Sequence, residues 1–141
     1  SGTFDYFTEA INGKAGDSRT DFSPSEDDNT IVKGVSGDVN ALGYFGLSYL
    51  EENASTIKAV KIDGGKGCVE PAIETAQAGT YAPLGRPLFI YVAKKAAAKP
   101  AVKAFVSFYV DNDDAITKAA KFVPLNPEQK TKAKEEITAL G

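Results

Sequence analysis

Apolar positions recur along the chain at helical and then at strand-like spacing, and the two patterns alternate. Phe4, Phe7 and Ile11 share one face of a helix that opens on Ser1-Gly2-Thr3 and closes at Asn12-Gly13, a pair suited to a helix C-cap. Residues 14–22 are polar and read as a loop. A second helix is expected to start in Ser23-Pro24-Ser25-Glu26, where a capping serine precedes a first-turn proline and the acids Glu26, Asp27 and Asp28. Its inner face carries Ile31, Val32 and Val35, and Gly37-Asp38 ends it. The glycine-bounded apolar run 41–46 predicts a short buried strand, and Leu47, Tyr49 and Leu50 continue as a helix up to Glu51-Glu52-Asn53. Residues 57–62, ahead of Asp63-Gly64-Gly65, predict a second strand, and the stretch from Glu70 to Ala78 a helix closed by Gly79.

After residues 81–87, whose Pro83, Gly85 and Pro87 read as a connector, Leu88-Phe89-Ile90-Tyr91-Val92 is the strongest strand signal in the chain. Val102, Phe105, Val106, Tyr109 and Val110 then predict a well-buried amphipathic helix beginning near Pro100. Two more helices are expected near 113–121 and 127–140, the last with Pro127 in its first turn and a lysine- and glutamate-rich exposed surface. Helices alternating with strands indicate the α/β class.

Composition narrows function more than fold. A chain of 141 residues with 43% hydrophobic and 25% charged residues suits one ordinary folded core, not a disordered or fibrous chain. The net charge of −3, with both signs interspersed, disfavours nucleic acid, whose backbone demands a clustered positive surface. A small anion stays admissible, because backbone N–H groups and hydroxyls can converge on it locally. With no histidine and Cys68 as its one cysteine, the chain lacks Ser-His-Asp and Cys-His pairs, the common zinc sites and any intrachain disulfide. No cofactor, metal site or catalytic residue is expected, and no enzyme activity.

Three motifs carry possible chemistry. Ser1-Gly2-Thr3 at a helix start suits an oxyanion: the orphan N–H groups of the first turn point outward, glycine admits a close approach, and both hydroxyls can donate. Taken alone the tripeptide is a weak signal, since helix caps of this kind without a ligand are far more frequent. The acidic run from Ser25 to Asn29 lacks the spacing of a calcium loop and reads as a negative first turn that complements the helix dipole. Gly64-Gly65-Lys66-Gly67 lacks the ending of a nucleotide-binding loop and reads as a turn; Cys68 beside it has no nearby base and reads as a packing or loop residue. Phe45, Phe89, Phe105 and Tyr109 read as core.

Taken in order, the stretches 1–9, 18–22 with 25–29, 40–46 (Asn-Ala-Leu-Gly-Tyr-Phe-Gly), 83–92 (Pro-Leu-Gly-Arg-Pro-Leu-Phe-Ile-Tyr-Val), 104–110 and 122–125 resemble the substrate-binding protein of the bacterial phosphate-specific ABC transporter, of the type II periplasmic-binding-protein family, in its C-terminal half. The resemblance implies an α/β periplasmic-binding-protein-like lobe plus the C-terminal return segment of the other lobe. Residues 1–80 would be the second lobe, 81–87 the inter-lobe connector, and 88–141 a strand and helices rejoining the first lobe. It implies phosphate donors at Ser1, Gly2 and Thr3, and partners that include inorganic phosphate, an ABC transporter permease, and the missing N-terminal half or a second copy of the chain.

It further implies a periplasmic or extracellular protein, cell-envelope associated and in some members lipid-anchored. The family's arginine and aspartate ahead of Ser-Gly-Thr, and the opposing lobe, would precede residue 1, so this chain is expected to hold half of the site and to bind weakly alone. Another oxyanion such as sulfate or molybdate, or an interaction module on the same fold, remain the alternatives; a secreted phosphatase fits least.

Overall fold

A computed structural model describes residues 2–139. The chain divides into two compact units, Ser1–Arg86 and Pro87–Gly141.

In the first unit α1 (Gly2–Asn12) forms where the apolar spacing places it. Phe7 stacks flat on Tyr44 with ring centroids 3.9 Å apart, and Phe4 lies over Phe22 at 6.1 Å. Between them Thr8 is 1% exposed. Its hydroxyl donates back to the Phe4 carbonyl (2.8 Å) and accepts from Gly16 N–H (2.8 Å), so the following loop is tied to the helix by a fully satisfied buried group.

The second helix, α2 (Asp28–Gly37), starts later than expected. Asp27, not Ser23, is the N-cap: its carboxylate accepts from Asn29 N–H and from the Thr30 hydroxyl, each at 3.0 Å, while Ser25 Oγ accepts the Asp27 N–H outside the helix. Several capping residues compete here, and the one that reaches two donors in the first turn sets the boundary. Val32 is buried, Ile31 and Val35 are half-buried, and Asp38 closes the helix.

The strand expected over 41–46 does not form. The segment lies without a ladder over α2, so close that a Cβ added to Gly43 would sit 2.7 Å from Val35 Cγ2 and 3.0 Å from Ile31 Cγ2. α3 (Leu47–Glu52) follows.

Of the strand expected over 57–62 only Ile62 joins a ladder. β1 (Ile62–Asp63) pairs antiparallel with β2 (Cys68–Val69), Ile62 opposite Val69 and Asp63 opposite Cys68. A strand is fixed by backbone partners, and among the described residues the hairpin supplies this single pairing. α4 (Ile73–Gln77) is shorter than the expected 70–78, because the Thr75 hydroxyl binds the Glu70 carbonyl (2.8 Å) and the Ala72 N–H (3.0 Å), holding 70–72 outside the helix.

The second unit is helical: α5 (Lys94–Ala97), α6 (Pro100–Asp111), α7 (Asp113–Ala120) and α8 (Pro127–Ala139). α6 begins at Pro100 as expected and packs against the other three. Its inner face buries Val106 and Val110, but Phe105 is 64% exposed, so the helix is not the well-buried element that its spacing suggested. α8 opens on a reciprocal cap, Asn126 N–H to Gln129 Oε1 (2.9 Å) and Gln129 N–H to Asn126 Oδ1 (2.8 Å), with Pro127 in the first turn.

Asp113, 5% exposed, accepts from Leu125 N–H (3.0 Å) and faces Lys130 Nζ at 3.5 Å. Residues 88–92, the strongest strand signal, pair with no strand, and Leu88, Phe89, Ile90 and Tyr91 are 51–89% exposed. Phe89 and Phe105 are therefore surface, not core.

Candidate functional site

Gly2 and Thr3 occupy the first turn of α1, an eleven-residue helix; Ser1 lies outside the described residues. Asp5 stands in the same turn, and its carboxylate offsets part of the positive end of the helix dipole. The compensating charge comes from the far end of the unit. A Cβ built on Gly2 would lie 3.6 Å from Nη2 of Arg86, so the guanidinium sits beside the glycine at the helix start.

Tyr6, one turn along α1, touches both that arginine and the connector that bears it. Its ring lies under the guanidinium, 4.8 Å from Cζ to the ring centroid, and its hydroxyl donates to the Pro83 carbonyl at 2.6 Å. The connector bearing Arg86 is itself tightly set. Gly85 N–H donates to the Tyr81 carbonyl at 2.6 Å, and a Cβ on Gly85 would meet that oxygen at 2.9 Å. A Cβ on Gly64 would come within contact of the Ala82 carbonyl oxygen, so the β1–β2 turn can press on the connector only through a glycine. Burial raises the Tyr81 hydroxyl above its ordinary pKa.

The other arginine is occupied. Arg19 grips Asp21 through Nε and Nη2, a bidentate pair that holds the Asp21 carboxyl below its usual range and the guanidinium above its own. The glycine turn 64–67 is likewise closed to anions: Asp63 Oδ1 accepts from Gly65 N–H (2.8 Å) and Gly67 N–H (2.9 Å), so a carboxylate fills the place that a phosphate oxygen would need. The acidic run 25–29 acts as the cap of α2, and its Asp27 carboxyl is held below the usual range by the Thr30 hydroxyl first and the Asn29 N–H second. Cys68 is exposed on β2. Among the described residues no group of three or more His, Cys, Asp or Glu side chains could hold a metal ion.

Sequence reasoning placed Gly2 and Thr3 at a helix start but missed Arg86 and Tyr6. Arg86 reads as part of a connector, and Tyr6 falls off the Phe4–Phe7–Ile11 face. No spacing rule links positions 80 residues apart, so the pairing had no sequence signal.

Residues 1–113 match the profile of a PBP superfamily domain. The chain is 51% identical over 130 residues to Protein SphX of Synechocystis sp., covering 92% of this chain and 38% of that protein. It is 34% identical over 139 residues to the phosphate-binding protein PstS of Staphylococcus saprophyticus, covering 96% and 42% respectively. The crystal structure of a possible phosphate binding protein from Planctomyces limnophilus superimposes with a TM-score of 0.87 at 44% identity, over 99% of this chain and 50% of that one. The chain thus spans about two fifths of the length of these curated relatives and half of the solved structure. The resemblance read from the ordered motifs is borne out, and with its match over residues 1–113 the chain belongs to the PBP superfamily.

Proposed function

We propose that the protein binds inorganic phosphate outside the cytoplasm and delivers it to an ABC transporter permease without chemical change, and that this chain carries part of the binding site, at Ser1, Gly2 and Thr3. The observation that carries the reading is the first turn of α1: Gly2 and Thr3 open an eleven-residue helix with a guanidinium beside the glycine. Outward-facing N–H groups, a hydroxyl and a nearby cation form a donor set for a tetrahedral oxyanion. A matched relative is named a phosphate-binding protein and the matched crystal structure a possible one, which favours phosphate among oxyanions. On this reading residues 1–80 belong to one lobe, 81–87 cross between lobes, and 88–141 rejoin the other. The remaining site groups come from the opposing lobe, so this chain alone binds weakly.

The test is titration of the isotopically labelled chain with inorganic phosphate, following the Gly2 and Thr3 amide resonances, with sulfate as control. Saturable shifts at these amides, abolished in Thr3→Val, are expected. Shifts that are equal for sulfate, or that survive Thr3→Val, would remove phosphate from the reading.

A further inference from the structure

We infer that Arg86 is the residue that sets the anion charge preferred at this site, and that Tyr6 positions it. The inference rests on the phosphate reading above, but its evidence is the arginine itself.

The chain has two arginines, and the structure treats them oppositely. The planar fork of Arg19 is filled by the Asp21 carboxylate. Arg86 pairs with no carboxylate among the described residues, although Asp5 and Glu9 ride on the helix beside it. Its Cζ lies over the Tyr6 ring, and among the described residues its N–H groups, the donors that make bidentate oxyanion contacts, are given to no acceptor. Its Nη2 stands next to the Gly2 backbone, 3.6 Å from where a Cβ on that residue would lie.

The Tyr6 ring touches the guanidinium itself, while the Tyr6 hydroxyl on the Pro83 carbonyl and the close-packed glycines at 64 and 85 set the connector backbone that bears it. An arginine fixed by packing loses less conformational freedom on gripping a ligand than a free one does. A second positive charge beside a helix start already partly neutralised by Asp5 stabilises a dianion more than a monoanion, since the interaction scales with the ligand's charge. Arg86 therefore favours the doubly charged form of phosphate. Both partners face solvent, so the gain stays at the modest level of an exposed ion pair.

The experiment is the same phosphate titration of the whole chain, repeated across the second ionisation of phosphate, for wild type, Arg86→Gln, Arg86→Lys, Tyr6→Phe and Tyr6→Leu. Arg86→Gln is expected to bind about fivefold more weakly at the alkaline end, with the rise of affinity with pH flattened. Arg86→Lys should keep the pH slope but lose part of the affinity. Tyr6→Leu should approach Arg86→Gln, and Tyr6→Phe should fall between Tyr6→Leu and wild type. A merely structural role would shift affinity at every pH alike and leave the slope intact. An unchanged slope in Arg86→Gln, while Thr3→Val still abolishes binding, overturns the role of Arg86 and leaves the phosphate reading standing. Absence of amide shifts in the wild-type chain overturns both.

Discussion

Residues 41–46 and 88–92 look alike as sequence, two apolar runs bounded by turn residues, and the protein treats them differently. The first has lost its ladder but kept its cover: Gly43 lies in contact with Val35 and Ile31 of α2, and Tyr44 stacks on Phe7 of α1. Leu42 alone of its large side chains stays open, at 79% exposure. The second has neither ladder nor cover. Its Phe89 and Tyr91 rings lie near one another, centroids 6.2 Å apart, as neighbours two apart do on an extended backbone, and both face solvent. An apolar run thus signals a demand for burial, and whether it becomes a strand depends on what the rest of the molecule brings beside it.

The largest effect is expected where 41–46 is denied its cover. Gly43→Val places atoms where Val35 and Ile31 already stand. Overpacking of this kind costs about 3 kcal/mol, at the upper end of the usual range. Urea denaturation followed by tyrosine fluorescence should show the midpoint falling accordingly. The matched change in the uncovered run, Leu88→Phe, should move stability by less than about 0.5 kcal/mol, as surface substitutions do. Equal effects at both positions would mean that 88–92 is buried in solution.

Most helices were legible, the short α5 excepted, and the strands were not, for one physical reason. The start of α6 at Pro100 and the ends of α1 and α2 follow from side chains within a few residues, which is all that a helix needs. The strands at 41–46, 57–62 and 88–92 were read from patterns that record only apolar demand, while their pairing is set by residues distant in the chain. The site divides in the same way. Gly2 and Thr3 were visible because a helix start is local; Arg86 and Tyr6 were not, because a guanidinium resting on a ring is a fact of packing. Thr8 was hidden too, since a polar residue on a helix gives no sign that it will be the most buried side chain of its unit.

Where apolar cover is thin, single polar ties should carry more of the load. In the second unit Asp113→Ala strips the Leu125 N–H of its acceptor and removes a carboxylate from Lys130. That part-buried donor left without its acceptor costs about 1.5 kcal/mol, read as a lower denaturation midpoint. In the first unit Thr8→Val keeps the shape but leaves Gly16 N–H unpaired, for a loss of about 1 kcal/mol, because the stacked rings on either side still hold the helix. Replacing Phe89 and Tyr91 together by Lys should leave stability within about 0.5 kcal/mol. It should also reduce concentration-dependent association in sedimentation velocity, since exposed apolar patches drive self-contact. Association undiminished by that double change would place the sticky surface elsewhere.

The smallest effect separates the two regions by pH. The α2 helix that covers 41–46 is capped by Asp27, whose carboxyl is held below its ordinary value by the Thr30 hydroxyl and the Asn29 N–H. A depressed folded-state value means that the ionised cap stabilises the helix at every pH above the unfolded aspartate value of about 4, and that this contribution fades as pH falls through the lower folded value. The protection of the amides in residues 29–33, their slowing relative to the free-peptide exchange rate at the same pH, should therefore fall in acid, below about pH 4. Asp27→Asn keeps a capping oxygen but cannot titrate, so its protection should be flat across the same range. The exposed run 88–92 depends on no such carboxylate, and its amides should exchange close to the unprotected rate at every pH in both proteins.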